Sequence, residues 1–198
     1  EILQGLARSH GKITGVQVAL ADALRRAEKF ADALKVYDTA IAMIPAPAQS
    51  DWGIFYARGI CHERQGDFAL AEADMRKALE LMPDQPQVLN YLGYSFVDRG
   101  ENLDEALGMI ERAVAAQPDA GYIIDSLAWA YYRLGRYDEA VEELERAVQL
   151  RAGLWDSTPY ARISRPHRLA ELMHILEGAV DLTMADGTVV TVAGTCSV

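Results

Sequence analysis

The sequence predicts an all-α solenoid of about four stacked helix pairs. Three observations carry that prediction. A motif recurs every 34 or 35 residues, apolar residues recur at helical spacing inside each copy, and small residues hold fixed slots where helix backbones must approach closely.

The copies align when GDFALAEADMRKALELMP (66–83), GENLDEALGMIERAVAAQP (100–118) and GRYDEAVEELERAVQL (135–150) are set beside one another. Gly66, Gly100 and Gly135 stand 34 and 35 residues apart; Ala71, Ala106 and Ala140, and likewise Ala78, Ala113 and Ala147, stand 35 and 34 apart. An upstream copy, KFADALKVYDTAIAMIP, places Ala33, Ala40 and Pro45 in the matching slots, 38 residues ahead because Ala46 to Asp51 lengthens the connection. Each copy splits into two amphipathic stretches joined by a tight turn. In the second stretch Ala71, Met75, Ala78, Leu79 and Met82 share one face. The turn glycine can take the positive φ that ends the first helix. The alanines let two helices close on each other. Pro83 and Pro118 close second helices, and Pro86 suits the first turn of the next. The expected helix pairs are 14–27 with 31–44, 52–65 with 68–82, 86–99 with 103–116, and 121–134 with 137–151. The expected organisation is the tail of a preceding helix over 1–13, a solenoid over 14–152 with repeats at about 14–47, 52–85, 86–120 and 121–154, and a non-repeat segment over 153–198.

Composition narrows the function. Nineteen Lys and Arg against 29 Asp and Glu give a net charge of −10, which opposes nucleic acid and anionic membrane surfaces. No apolar run approaches the roughly 20 residues of a membrane-spanning helix. Cys61 and Cys196 form neither a disulfide framework nor a zinc pattern. The chain opens at Glu1, inside what reads as a helix, so it is expected to be a piece of a longer protein.

A period of 34 with these small, aromatic and proline slots resembles the tetratricopeptide repeat. In DSLAWAYYRLGRYDEAVEELERAV, residues Leu127, Ala128, Tyr131, Gly135, Tyr137, Ala140, Leu144 and Ala147 fill the expected positions, and Gly59 and Gly93 occupy the slot of Ala128. Three departures stand out: Glu28 replaces the first turn glycine, Asn102 adds a residue to the third turn, and Ala152 stands where a closing proline is expected. LNYLGYSFVDRGENLDEAL, followed by GYIIDSLAWAYYRLGRYDEAV, is also similar to the later repeats of long bacterial tetratricopeptide proteins, some of them envelope lipoproteins. That likeness leaves the bacterial cytoplasm and the cell envelope both open.

The resemblance implies a right-handed superhelix whose first helices line a concave groove, with a protein or peptide as partner and no cofactor. Carried over residue by residue, the groove shows Asp22 and Arg25, then Tyr56, Ile60, Glu63 and Arg64, then Asn90, Tyr94, Val97 and Asp98, then Asp125, Trp129, Tyr132 and Arg133. Tyr56, Tyr94, Trp129 and Tyr132 form its aromatic part, and such rings anchor interfaces. Tyr91, Phe96 and Tyr131 are expected in the core. The subtype that grips the acidic C-termini of heat-shock chaperones is disfavoured, because Val18, Asp22 and Ala57 stand where its cationic cluster would be.

No catalytic motif is present: there is no G-x-S-x-G, HExxH or glycine-rich phosphate loop. Cys61 and His62 are neighbours, but adjacent helical residues point about 100° apart, and both read as core. His167, Glu171 and His174 would share a face of a helix over 166–177, a spacing that a surface helix produces readily. After Leu150 the repeat stops. VDLTM and TVVTV flank Ala185, Asp186 and Gly187 and read as a β-hairpin. The tail is expected to cap the stack, with a dimer contact or a sequence foreign to the parent as alternatives. A binding module is therefore the expected function. The rival is a self-assembly element that dimerises or stacks through its open end and its tail.

Overall fold

A computed structural model describes residues 12–152, the strand residues 179–183 and the strand residues 189–193. The chain divides into two compact units, Glu1–Asp156 and Ser157–Val198. Among the described residues the first unit is a right-handed α–α solenoid of four helix pairs. They are α1 (Thr14–Arg26) with α2 (Phe30–Ala42), α3 (Trp52–Arg64) with α4 (Phe68–Leu81), α5 (Pro86–Arg99) with α6 (Leu103–Ala116), and α7 (Gly121–Arg133) with α8 (Tyr137–Ala152). A 3₁₀ turn, Gln49–Asp51, occupies the long connection before α3.

The four intra-pair turns are built alike. Gly66 N–H donates to the Glu63 carbonyl and Asp67 N–H to the His62 carbonyl, both at 2.9 Å. The same two bonds recur at Gly100 and Glu101, at Gly135 and Arg136, and at Glu28 and Lys29. This is the double bond of a helix C-terminus closed by a left-handed residue. The three glycines have φ of 83°, 73° and 77°. Glu28 takes the same region at 58° despite its Cβ, and so does the inserted Asn102 at 47°.

The small slots perform the packing expected of them. A Cβ on Gly93 would lie 2.9 Å from the Ala106 carbonyl oxygen and 2.8 Å from Ile110, and Ala128 is buried in the equivalent place. The main core runs through the last three pairs and includes Phe55, Met75, Val88, Leu89, Leu92, Phe96, Ile110, Ile123 and Leu127. A smaller cluster around Tyr37, Ala21, Ala33, Ala57 and Cys61 joins the first pair to α3. Between pairs, a repeated arginine closes the seam on the side of the second helices. Arg112 donates to the Pro83 carbonyl at 3.0 Å and to Asp84 at 2.7 Å, and Arg146 donates to the Pro118 carbonyl at 2.8 Å.

In the second unit β1 (Ala179–Thr183) and β2 (Val189–Ala193) pair antiparallel, with Asp181 opposite Thr191. This is the hairpin expected from the sequence. Its tip, the expected helix over 166–177 and the His167, Glu171 and His174 set lie outside the described residues.

Candidate protein-binding groove

The groove rests on the first helices of successive pairs, which pack side by side: α1 against α3, and α5 against α7. A residue of α5 and its counterpart of α7 therefore lie on one continuous surface. Two aromatic groups occupy that surface. At one end Tyr56 is half-buried, 6.0 Å from the Trp52 ring and edge-on to Tyr91 at 5.8 Å. At the other, Trp129 stacks on Tyr132 at 5.4 Å with 13° between the planes, and Tyr132 lies 5.5 Å from Tyr137. Ile60 is half-buried against the main core.

Tyr94 is half-buried on α5. Burial raises its hydroxyl pKa, and the nearby Asp98 and Glu63 carboxylates push it further in the same direction. Glu63 accepts a hydrogen bond from the Tyr91 hydroxyl at 3.1 Å and lies 3.4 Å from the exposed Arg64. Arg133 is committed within the fold. Its guanidinium donates to the Asp98 carbonyl at 3.0 Å and lies 5.6 Å from the Trp129 ring centre. Gly100 leaves room for it, since a Cβ there would come within 2.8 Å of that guanidinium. The Asp98 carboxylate is exposed and Asp125 is half-buried. Asn90 is closed in at 8% exposure, and among the described residues neither its side-chain oxygen nor the buried Trp129 indole N–H has a hydrogen-bond partner.

Three placements differ from the sequence reading. Val97 is fully buried, turned into the core rather than the groove. Asp22 and Arg25 are consumed in joining α1 to α2: the buried Tyr37 hydroxyl donates to Asp22 at 2.6 Å, and Arg25 Nε donates to that hydroxyl at 3.3 Å. Burial and the Asp22 carboxylate raise the Tyr37 pKa and keep it neutral. Tyr122, which the sequence reading passed over, is half exposed at 51% and close enough to Tyr56 to raise its pKa. The missed signal was spacing, because Tyr122, Asp125, Trp129 and Tyr132 follow one another at intervals of three, four and three on one helix face.

The pair Cys61 and His62 forms no nucleophile and base. Cys61 is fully buried, and burial pushes its thiol up to about 11. His62 faces Asp67 and Asp74 instead, each at 4.0 Å. Among the described residues no group of three or more His, Cys, Asp or Glu could hold a metal ion, and no helix is long and apolar enough to cross a membrane.

The pattern of the family described as Tetratricopeptide repeat matches residues 18–86 and 90–154, more than half of the chain. The chain belongs to the tetratricopeptide repeat family. A TPR repeat-containing protein of Pseudomonas aeruginosa is 35% identical over 99 residues, which cover 50% of this chain and 17% of that protein. The fold is shared with MamA from Desulfovibrio magneticus RS-1, at a TM-score of 0.68 and 19% identity over 78% of this chain and 84% of that one. It is shared also with BtubC from P. vanneervenii, at 0.67 and 23% identity over 78% and 69%. A fold of this family supports protein–protein interaction in general terms.

Proposed function

We propose that the concave face of the solenoid holds an extended or helical segment of a partner protein, with Tyr94, Trp129 and Tyr132 at its centre and Tyr56, Ile60, Arg64, Asn90, Asp98, Asp125 and Arg133 around them. The observation that supports this reading is the aromatic row itself. Half-buried rings stand on three first helices: Trp52 and Tyr56 tilted together on α3, Tyr94 on α5, and Trp129 and Tyr132 stacked on α7. Preordered rings lose little conformational freedom when they are covered, so each contributes area at low entropic cost. Arg133 serves as a fixed prop for Trp129 rather than as a ligand-seeking cation. The test is a crosslinking pull-down from the source cell with the native chain and a Tyr94→Ala, Trp129→Ala double variant of verified helicity. A partner captured by the first and lost by the second supports the groove, whereas equal capture by both removes it.

One observation favours the rival. On α8, Tyr137, Val141 and Val148 are 56%, 50% and 38% exposed, an apolar stripe on the last helix of the stack. Self-association through that end would raise the mass with concentration in sedimentation equilibrium, and Val141→Glu would abolish the rise. A constant monomer mass excludes it.

A further inference from the structure

The charges on the groove face are unevenly spent. Each arginine near the aromatic row already has a partner within the fold. Arg25 bonds Tyr37, Arg64 lies against Glu63, and Arg133 is held by the Asp98 carbonyl and the Trp129 ring. The Asp98 carboxylate differs: it makes no hydrogen bond or ion pair among the described residues, and it is exposed. It stands one helical turn beyond Tyr94, and Asn90 stands one turn before Tyr94, so the three share a line along α5. Glu63 of α3 reaches the same neighbourhood. Besides burial, the Asp98 and Glu63 carboxylates act on the Tyr94 hydroxyl, whereas among the described residues Arg25 acts on Tyr56 and Arg64 on Tyr91.

Resting on the groove reading above, we infer that the segment held there presents a lysine or arginine, seated against the Tyr94 ring with its charge on the Asp98 carboxylate. An aromatic face and a carboxylate together suit a cation better than either does alone, since the ring quadrupole and the anion attract the same charge. A net charge of −10 draws a basic segment towards the chain before contact.

The probe is three pools of fluorescein-labelled decapeptides, acetylated and amidated at their ends, with identical degenerate flanks and a central Lys, Gln or Glu. Anisotropy titration of the whole chain reads affinity. The Lys pool is expected to bind about tenfold more tightly than the Gln pool, with the Glu pool weakest. Raising sodium chloride from about 50 to about 500 mM is expected to erase most of that preference. Asp98→Asn, at an exposed position, is expected to abolish the preference, so that the variant binds the Lys and Gln pools alike. Measurable binding with no preference among the pools overturns the inference and leaves the groove standing. Binding of none of them overturns both.

Discussion

The second and third helix pairs fill three equivalent slots with opposite chemistry. Where α5 and α6 pack Leu92, Phe96 and Met109, the preceding pair places Arg58, His62 and Asp74. Both sets are enclosed: Leu92 and Phe96 are at most 2% exposed, Asp74 is 5% exposed, and the Arg58 side chain is 20% exposed. Arg58 grips Asp74 with two bonds of 2.8 and 2.6 Å and reaches back to Asp38 on α2 at 2.8 Å. Two buried charges cost several kcal/mol each in lost hydration, and a bidentate pair returns about that much. The apolar trio pays no such penalty and gains from dehydration alone. One repeat backbone thus accepts either solution. The ionic one links a pair to its predecessor through charged bonds to Asp38, where the apolar one does so through the shared core around Leu92 and Met75.

The comparison breaks most visibly when one partner is deleted. Asp74→Ala leaves Arg58 with only the exposed Asp38, and about 3 kcal/mol of stability should disappear in urea unfolding. Arg58→Leu combined with Asp74→Met converts the second pair towards the chemistry of the third. That double variant should lie within about 1 kcal/mol of the native chain, far below the sum of the two single losses, so the double-mutant cycle should return a coupling of about 3 kcal/mol or more. Purely additive losses would show that the pair is not a unit. At the neighbouring small slot, Gly93→Ala drives a methyl into the Ala106 carbonyl and should cost about 2 kcal/mol. Gly59→Ala meets the movable end of Met75 at 3.0 Å and the Ala71 carbonyl oxygen only at 3.2 Å, against 2.9 Å for its counterpart at Gly93, and should cost less than Gly93→Ala in the same assay. Glu28→Gly removes the left-handed strain of the first turn and should stabilise by about 1 kcal/mol, seen as a raised midpoint. Smallest is Arg112→Ala, which opens two seam bonds at an exposed site and should cost about 0.5 kcal/mol.

Much of the fold was legible because the repeat phase is a physical constraint repeated four times. Gly66, Gly100 and Gly135 marked three turns through their tolerance of positive φ, and Glu28 marked the fourth by alignment. Pro86 sits in the first turn of α5 as its ring requires. The face proposed as a groove could be drawn from the repeat phase, but the exposure of its residues could not. Phase places Asn90 and Val97 on or beside the concave stripe, yet neighbouring side chains close over both. It places Arg133 there as well, without revealing that the bend at Gly100 brings the Asp98 carbonyl within its reach. Tyr122 went unread because it stands one residue inside the helix, ahead of the repeat's aromatic slots.

By itself the sequence determined the period, the helix pairs, the turn chemistry and the small slots, since these depend on backbone geometry that each copy states locally. Only the tertiary structure decided which polar groups are spent inside the fold. Asp22 serves Tyr37, Asp74 serves Arg58, and Arg133 serves the Asp98 carbonyl, all through contacts between residues 15 to 35 positions apart. Spacing along a helix says which way a side chain sets out. What it meets is fixed by the neighbouring helix, where distance and desolvation act across the stack rather than along the chain.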